Sequence, residues 1–136
     1  MAAQYAKSFI DRLYDTKDVC MLRDVVGVIQ TQRKLPEQFS VFTGLWDWVS
    51  SARSGIYQYY DCMEHRDISE FESLASGLAK FGFSEIAARY RSGMATCRDD
   101  ECDDLDRWID EHMRDLEAAA FGLIAESRVC LYADET

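Results

Sequence analysis

A single proline, Pro36, interrupts 136 residues, and only seven glycines accompany it. Proline and glycine are the residues that most disfavour a helix interior, so a chain this poor in them is free to form long helices. The apolar residues recur at the matching spacing. Tyr5, Phe9, Ile10 and Leu13 share one face over residues 2–15, and Leu22, Val25, Val26 and Ile29 share another over 19–32. Asp15 to Asp18 separates the two and offers an aspartate or threonine N-cap. The β-branched run in the second segment also suits a strand, but its length favours a helix.

Pro36 opens a third helix, expected over 37–53, with Phe39, Phe42, Leu45, Trp46 and Val49 inward. The stretch Leu45–Asp61 is the aromatic centre of the chain. It holds two of the three tryptophans and three of the seven tyrosines, and each such ring buries roughly 150–250 Å². Gly55 divides it, either ending the helix or letting another backbone pack closely. Residues 56–62 continue as a short helix or irregular segment, where consecutive tyrosines cannot all face one way.

Asp67 or Ser69 can cap the next helix, and Ser69 with Glu72 fits a capping box. Phe71, Leu74, Ala75 and Leu78 form its stripe, and Phe81-Gly82-Phe83-Ser84 closes it. A further helix to about residue 97 turns Ile86, Ala87, Tyr90 and Met94 inward. The last expected helix runs from 103 to 129, with Leu105, Trp108, Ile109, His112, Leu116, Ala119, Ala120, Leu123 and Ile124 on its apolar face, followed by a tail that frays. These segments make one compact all-α domain over 1–136, of six to seven helices, with no strand, repeat or low-complexity segment.

The charge is uneven. Residues 1–63 carry seven acids and seven bases, whereas residues 64–136 carry 18 acids and eight bases, which accounts for the whole formal charge of −10. That balance argues against direct nucleic-acid binding, since phosphates need lysine and arginine, and it suits a basic partner. Ten acids crowd residues 99–117: Asp99, Asp100, Glu101, Asp103, Asp104, Asp106, Asp110, Glu111, Asp115 and Glu117, opposed by Arg107 and Arg114 alone. On one continuous helix they form two stripes, Asp99–Asp103–Asp106–Asp110 and Asp100–Asp104–Glu111–Asp115, flanking the apolar face. Neighbours at i, i+4 lie about 6 Å apart, a pitch comparable to successive phosphates on a nucleic-acid strand. Acids in a first helical turn offset the helix dipole, which explains Asp103, Asp104 and Asp106 but not those further on.

Other chemistry has little support. The acids do not follow a calcium-loop spacing. Cys97 and Cys102 are not at a zinc spacing, and five cysteines at irregular intervals read as reduced thiols rather than a disulfide framework. No nucleophile elbow or phosphate loop is present. His65 reads as a loop residue and His112 as a helix-face residue. No enzyme activity, cofactor or metal is therefore expected. Neither a signal peptide nor an apolar run long enough for a membrane is visible, so the expected location is cytoplasmic.

Ser54-Gly55-Ile56-Tyr57-Gln58-Tyr59-Tyr60 resembles the Asn-Gly-Gly-Phe-x-Gln-(Phe/Tyr)-(Phe/Tyr) signature of a bacterial family of largely unknown function, one member of which is described as a dimeric DNA mimic. Arg53-Ser54 replaces the Asn-Gly, Ile56 the Phe, and Cys62 stands where an Asn is expected. Downstream, Glu72 to Arg91 is similar to that family's paired helices, and Leu105-Asp106-Arg107-Trp108-Ile109-Asp110 to a later one. The resemblance, over residues 37–129, implies an all-helical fold, homodimerisation and mimicry of DNA charge. The leading functional expectation is an acidic inhibitor that blocks a basic nucleic-acid-binding protein: a transcription factor, a nuclease or a phage-defence effector, an anti-CRISPR type of activity included. The alternative is an immunity or adaptor protein that recognises its partner through Tyr57, Tyr59 and Trp108.

Overall fold

The computed structural model describes residues 5–61, 68–96 and 102–133. Among these residues there are eight α-helices and no strand: α1 (Lys7–Asp15), α2 (Val19–Gln30), α3 (Glu37–Ser51), α4 (Tyr57–Asp61), α5 (Ile68–Lys80), α6 (Ser84–Thr96), α7 (Asp103–Glu111) and α8 (Met113–Ile124). Short 3-10 turns at Ala52–Ser54 and Arg128–Leu131 complete the set.

Helix α3 is the axis of the fold and packs against α2, α5 and α8. Its sequence explains that position. Phe39, Val41, Phe42, Leu45, Trp46, Trp48 and Val49 are all buried, which is wider than a one-sided stripe and requires neighbours on several sides. The expected inward residues of α2 and α5 are also buried. Both helices carry polar residues on their outer faces, so each seals one side of α3.

The connections follow local chemistry. Asp18 caps α2 by accepting a hydrogen bond from the Met21 backbone N–H at 3.1 Å, offsetting one orphan donor of the first turn. Gly82, at φ +94°, ends α5: its N–H donates to the Ala79 carbonyl and the Phe83 N–H to the Leu78 carbonyl, the pairing of a Schellman turn. Gly55 has the same φ, and nothing would crowd a Cβ there. Its backbone conformation, rather than close packing, is what calls for glycine.

Several expectations need correction. The capping box at Ser69 does not form, because α5 begins at Ile68 and places Ser69 inside the helix; Asp67 lies outside the described residues. Pro36 is the N-cap of α3 rather than its first residue. The tail does not fray at once. Leu131 is buried, Arg33 donates to the Cys130 and Tyr132 carbonyls, and the Tyr132 hydroxyl donates to Asp11. These contacts tie the last 3-10 turn to α1 and to the end of α2. The thiols are not all reduced: Cys102 is disulfide-bonded, while Cys20 and Cys130 are free. An odd cysteine count excludes a complete framework but not a single bridge, and Cys102 is buried at the N-cap of α7.

The largest correction concerns the acidic segment. One helix over 103–129 was expected, but the helix breaks at His112, whose φ and ψ are −109° and 17°. The His112 N–H still closes α7 by bonding to the Trp108 carbonyl, and the His112 carbonyl opens α8 by accepting from the Leu116 N–H. The apolar period runs through the break because both helices pack inward, so periodicity alone does not reveal it.

Candidate protein-interaction surface

Two polar assemblies dominate the molecule, and they differ in kind. The first is an aromatic hub formed by α3, α4, α5 and α6. The buried Trp48 Nε1–H donates to the Tyr60 hydroxyl at 2.8 Å, and that hydroxyl donates to the Tyr90 carbonyl at 2.7 Å. The Tyr59 and Tyr90 hydroxyls share a further bond at 2.9 Å. Phe71 stacks on Tyr60 and Tyr90. Burial pushes the Tyr60 phenol far above its usual pKa, against the opposing Trp48 hydrogen bond. Gly93 makes room for this ring: a Cβ there would lie 2.3 Å from the Tyr60 ring. The hub is a structural core with satisfied polar groups; it places Tyr60 inside the fold and leaves Tyr59 partly exposed.

The second assembly is the acidic surface. Asp99, Asp100 and Glu101 lie outside the described residues. Of the remaining seven acids, Asp106 is half-buried and accepts a hydrogen bond from the Ile56 N–H at 2.8 Å. It fastens α7 to the backbone just after Gly55 and is a structural acid. Asp103, Asp104, Asp110, Glu111, Asp115 and Glu117 are exposed. Asp104 has a loose ion pair with Arg107 at 3.8 Å. Among the described residues the other five carboxylates form no ion pair.

The break at His112 re-sorts these acids. Asp103, Asp104 and Asp106 occupy the first turn of α7, and Asp115 the first turn of α8. All four therefore face the positive end of a helix dipole, Asp115 included. Asp110 and Glu111 occupy the last turn of α7, which contains no base. A carboxylate there meets the negative end of the dipole. Among the described residues these two acids have no ion-pair partner, and the dipole of α7 itself does not favour them where they are. Within α7 the pairs Asp103/Asp110 and Asp104/Glu111 keep the two expected stripes. Asp115 now belongs to a separate helix.

A groove borders this surface. It has a volume of about 470 Å³ and lies between the start of α6 and the α7–α8 junction, lined by Phe83, Ile86, Trp108, Leu116, Ala119 and Gly122, with Glu85, His112, Asp115 and Ala118 at its edges. Trp108 stacks on His112 with ring centres 4.5 Å apart, and the Arg89 guanidinium lies over its ring at 5.1 Å. The His112 Nδ1–H donates to the Trp108 carbonyl at 2.8 Å, which fixes the imidazole across the helix break. Sequence reasoning placed Trp108 and His112 on the apolar face but had no means of seeing the groove that borders them.

A second cavity of about 500 Å³ lies beside α3 and α5, with Glu37, Asp47, Ser40, Ser73, Tyr59 and Tyr90 among its lining residues. Its rim carboxylates are engaged elsewhere: Asp47 by the two-pronged Arg23 at 2.6 and 2.9 Å, and Glu37 by Lys80. No group of three His, Cys, Asp or Glu side chains among the described residues is arranged to hold a metal. No helix of the described residues is long and apolar enough to cross a membrane. The chain matches no known protein family, and no curated protein or solved structure is significantly similar to it.

Proposed function

We propose that this protein is an acidic inhibitor whose α7–α8 surface occupies the nucleic-acid-binding site of a basic protein, such as a transcription factor, a nuclease or a phage-defence effector of the kind an anti-CRISPR protein blocks. The observation that supports this reading is the pair Asp110 and Glu111. They are exposed and unpaired at the negative end of a helix, where a carboxylate weakens the helix that carries it. Charges kept at a cost to local structure mark a place where something outside the chain uses them.

The mechanism is competition assisted by long-range attraction. A patch of unpaired carboxylates projects a negative potential that draws a cationic surface toward it and raises the rate of encounter. Once docked, the carboxylates on α7 occupy the lysines and arginines that otherwise hold phosphates, and the nucleic acid is excluded. The resemblance in residues 37–129 points the same way, but the proposal rests on the placement of the acids.

The immobilised chain tests this directly. Proteins retained from a bacterial lysate should be nucleic-acid-binding proteins, and a short DNA duplex should elute them. Retention should weaken by about tenfold or more between about 50 and 300 mM salt. Retention that neither duplex nor salt disturbs contradicts the proposal. The alternative remains recognition through an aromatic surface, for which Tyr59, partly exposed beside the α3–α5 cavity, is better placed than the largely buried Trp108.

A further inference from the structure

The groove beside Trp108 gives the proposed partner a shape as well as a charge. Its floor is apolar, with Phe83, Ile86, Leu116 and Ala119. The wall contributed by α8 is flat: Ala118, Ala119 and Gly122 recur at helical spacing, and a Cβ added at Gly122 would meet nothing within 4 Å. Gly122 lies within α8, where glycine weakens a helix relative to alanine, and among the described residues no neighbour needs the space it leaves. Small side chains of this kind let another helix approach to the short end of the usual 8–10 Å interaxial range.

The edges are acidic. Glu85 and Asp115 line the groove. Asp104 and Glu111 lie one turn to either side of Trp108 on the same face of α7. The bases nearby are Arg89, which is laid over Trp108, Arg107, which leans toward Asp104, and Arg114. The charged residues that line the groove are therefore both carboxylates, Glu85 and Asp115, and its other polar side chain is His112, whose Nδ1 is occupied by the Trp108 carbonyl.

We propose that this groove receives an amphipathic helix of the basic partner, inserting one leucine- or methionine-sized side chain beside Trp108 and setting lysines or arginines one turn before and after it against Glu111, Asp115 and Glu85. The inference rests on the reading of the acidic surface as a docking face and adds the element that face recognises. Charge alone gives attraction without register. A buried apolar anchor fixes which turn of the partner helix meets which carboxylate, and so supplies specificity.

The test uses two synthetic 16-residue helical peptides carrying a fluorescent label. One is lysine-rich with leucines at i and i+4 on one face; the other is identical except that serines replace the leucines. Binding is followed by anisotropy with the full chain, and the Gly122 and Ala118 amides are followed by NMR. The leucine peptide should bind about tenfold or more tightly than the serine peptide, as expected for burial of one large apolar side chain, and should shift those amides. Gly122→Phe, which fills the groove from an open position, should abolish that difference while the circular dichroism spectrum is unchanged. Equal affinity for the two peptides, or an advantage for leucine that survives Gly122→Phe, overturns the groove proposal. Asp103→Asn with Asp110→Asn, away from the groove lining, should weaken both peptides alike. If it weakens neither, the acidic-surface reading fails, whatever the groove does.

Discussion

The hub around Trp48 and the surface of α7 and α8 treat polar groups in opposite ways. In the hub every hydroxyl and indole named above has a protein partner, and among the described residues no buried side-chain nitrogen or oxygen lacks one. Several acids on the first half of the chain behave similarly: Asp47 is paired with Arg23, Glu37 with Lys80, and Asp11 with Arg128 and Tyr132. On α7 and α8 the carboxylates are exposed and mostly unpaired, and two of them oppose their own helix dipole. Matched polar groups report what the fold needs. Unmatched ones, concentrated on one face, report a need that the fold does not satisfy by itself. The hub and the surface are joined by α3, which packs directly against α8, and by the bond from Ile56 to Asp106.

This contrast can be broken at several points. The largest effect should come from the hub: Trp48→Ala should lower stability by about 3–5 kcal/mol, because a fully buried ring leaves a cavity and its hydrogen bond together. Chemical denaturation measures this, and a loss below about 1 kcal/mol would show that the hub is not the structural centre. Next, Gly93→Ala should cost about 1–3 kcal/mol, since the added methyl collides with the buried Tyr60 ring and neither backbone nor ring has room to move; a neutral result would mean that α6 can slide. Tyr60→Phe should cost about 1–3 kcal/mol by leaving the Trp48 indole and the Tyr90 carbonyl without their partner.

Asp106 tests the border between the two regions. Asp106→Ala should cost about 1 kcal/mol through the lost Ile56 hydrogen bond, whereas Asp110→Ala should leave stability unchanged or slightly raised. If both variants respond alike, the division into structural and free acids is wrong. Two buried tyrosines, Tyr60 in the hub and Tyr14 on α1, also set a pH response. Burial raises the phenol pKa of Tyr14 and Tyr60 in the fold. The unfolded chain therefore releases these protons first as the pH rises past about 10, and stability that is complete below that value falls above it. Asp11 gives the opposite sign. The Tyr132 hydrogen bond lowers its pKa from 3.8, so its contribution is present above that value and disappears as the pH falls further, loosening the C-terminal turn first.

Much of the fold can be read from the sequence, because the apolar stripes of α1, α2, α5 and α6 match the helical period and Gly82 marks a stop. What escapes the sequence is long-range or unpunctuated. The hub depends on Tyr60 meeting Tyr90 thirty residues away, which no local spacing encodes. The break at His112 has no glycine or proline to announce it, and Leu116 continues the apolar period beyond it. Missing that break hides the fact that Asp115 begins a helix while Asp110 and Glu111 end one. It makes ten acids look equivalent when one is a structural fastener and two stand out. The groove is invisible for a related reason: periodicity shows which face of a helix is apolar, not how closely a neighbouring helix packs on it.

The separation of function from structure on α7 is tested most directly by the double variant Asp110→Asn with Glu111→Gln. Its thermal stability and its affinity for a protein captured by the native chain and released by DNA duplex should be measured side by side. Stability should stay the same or rise, because two carboxylates no longer oppose the helix dipole, while affinity should fall by about tenfold or more. Unchanged affinity, or a loss of stability large enough to explain the loss of binding, would contradict a partner-binding use of these two acids.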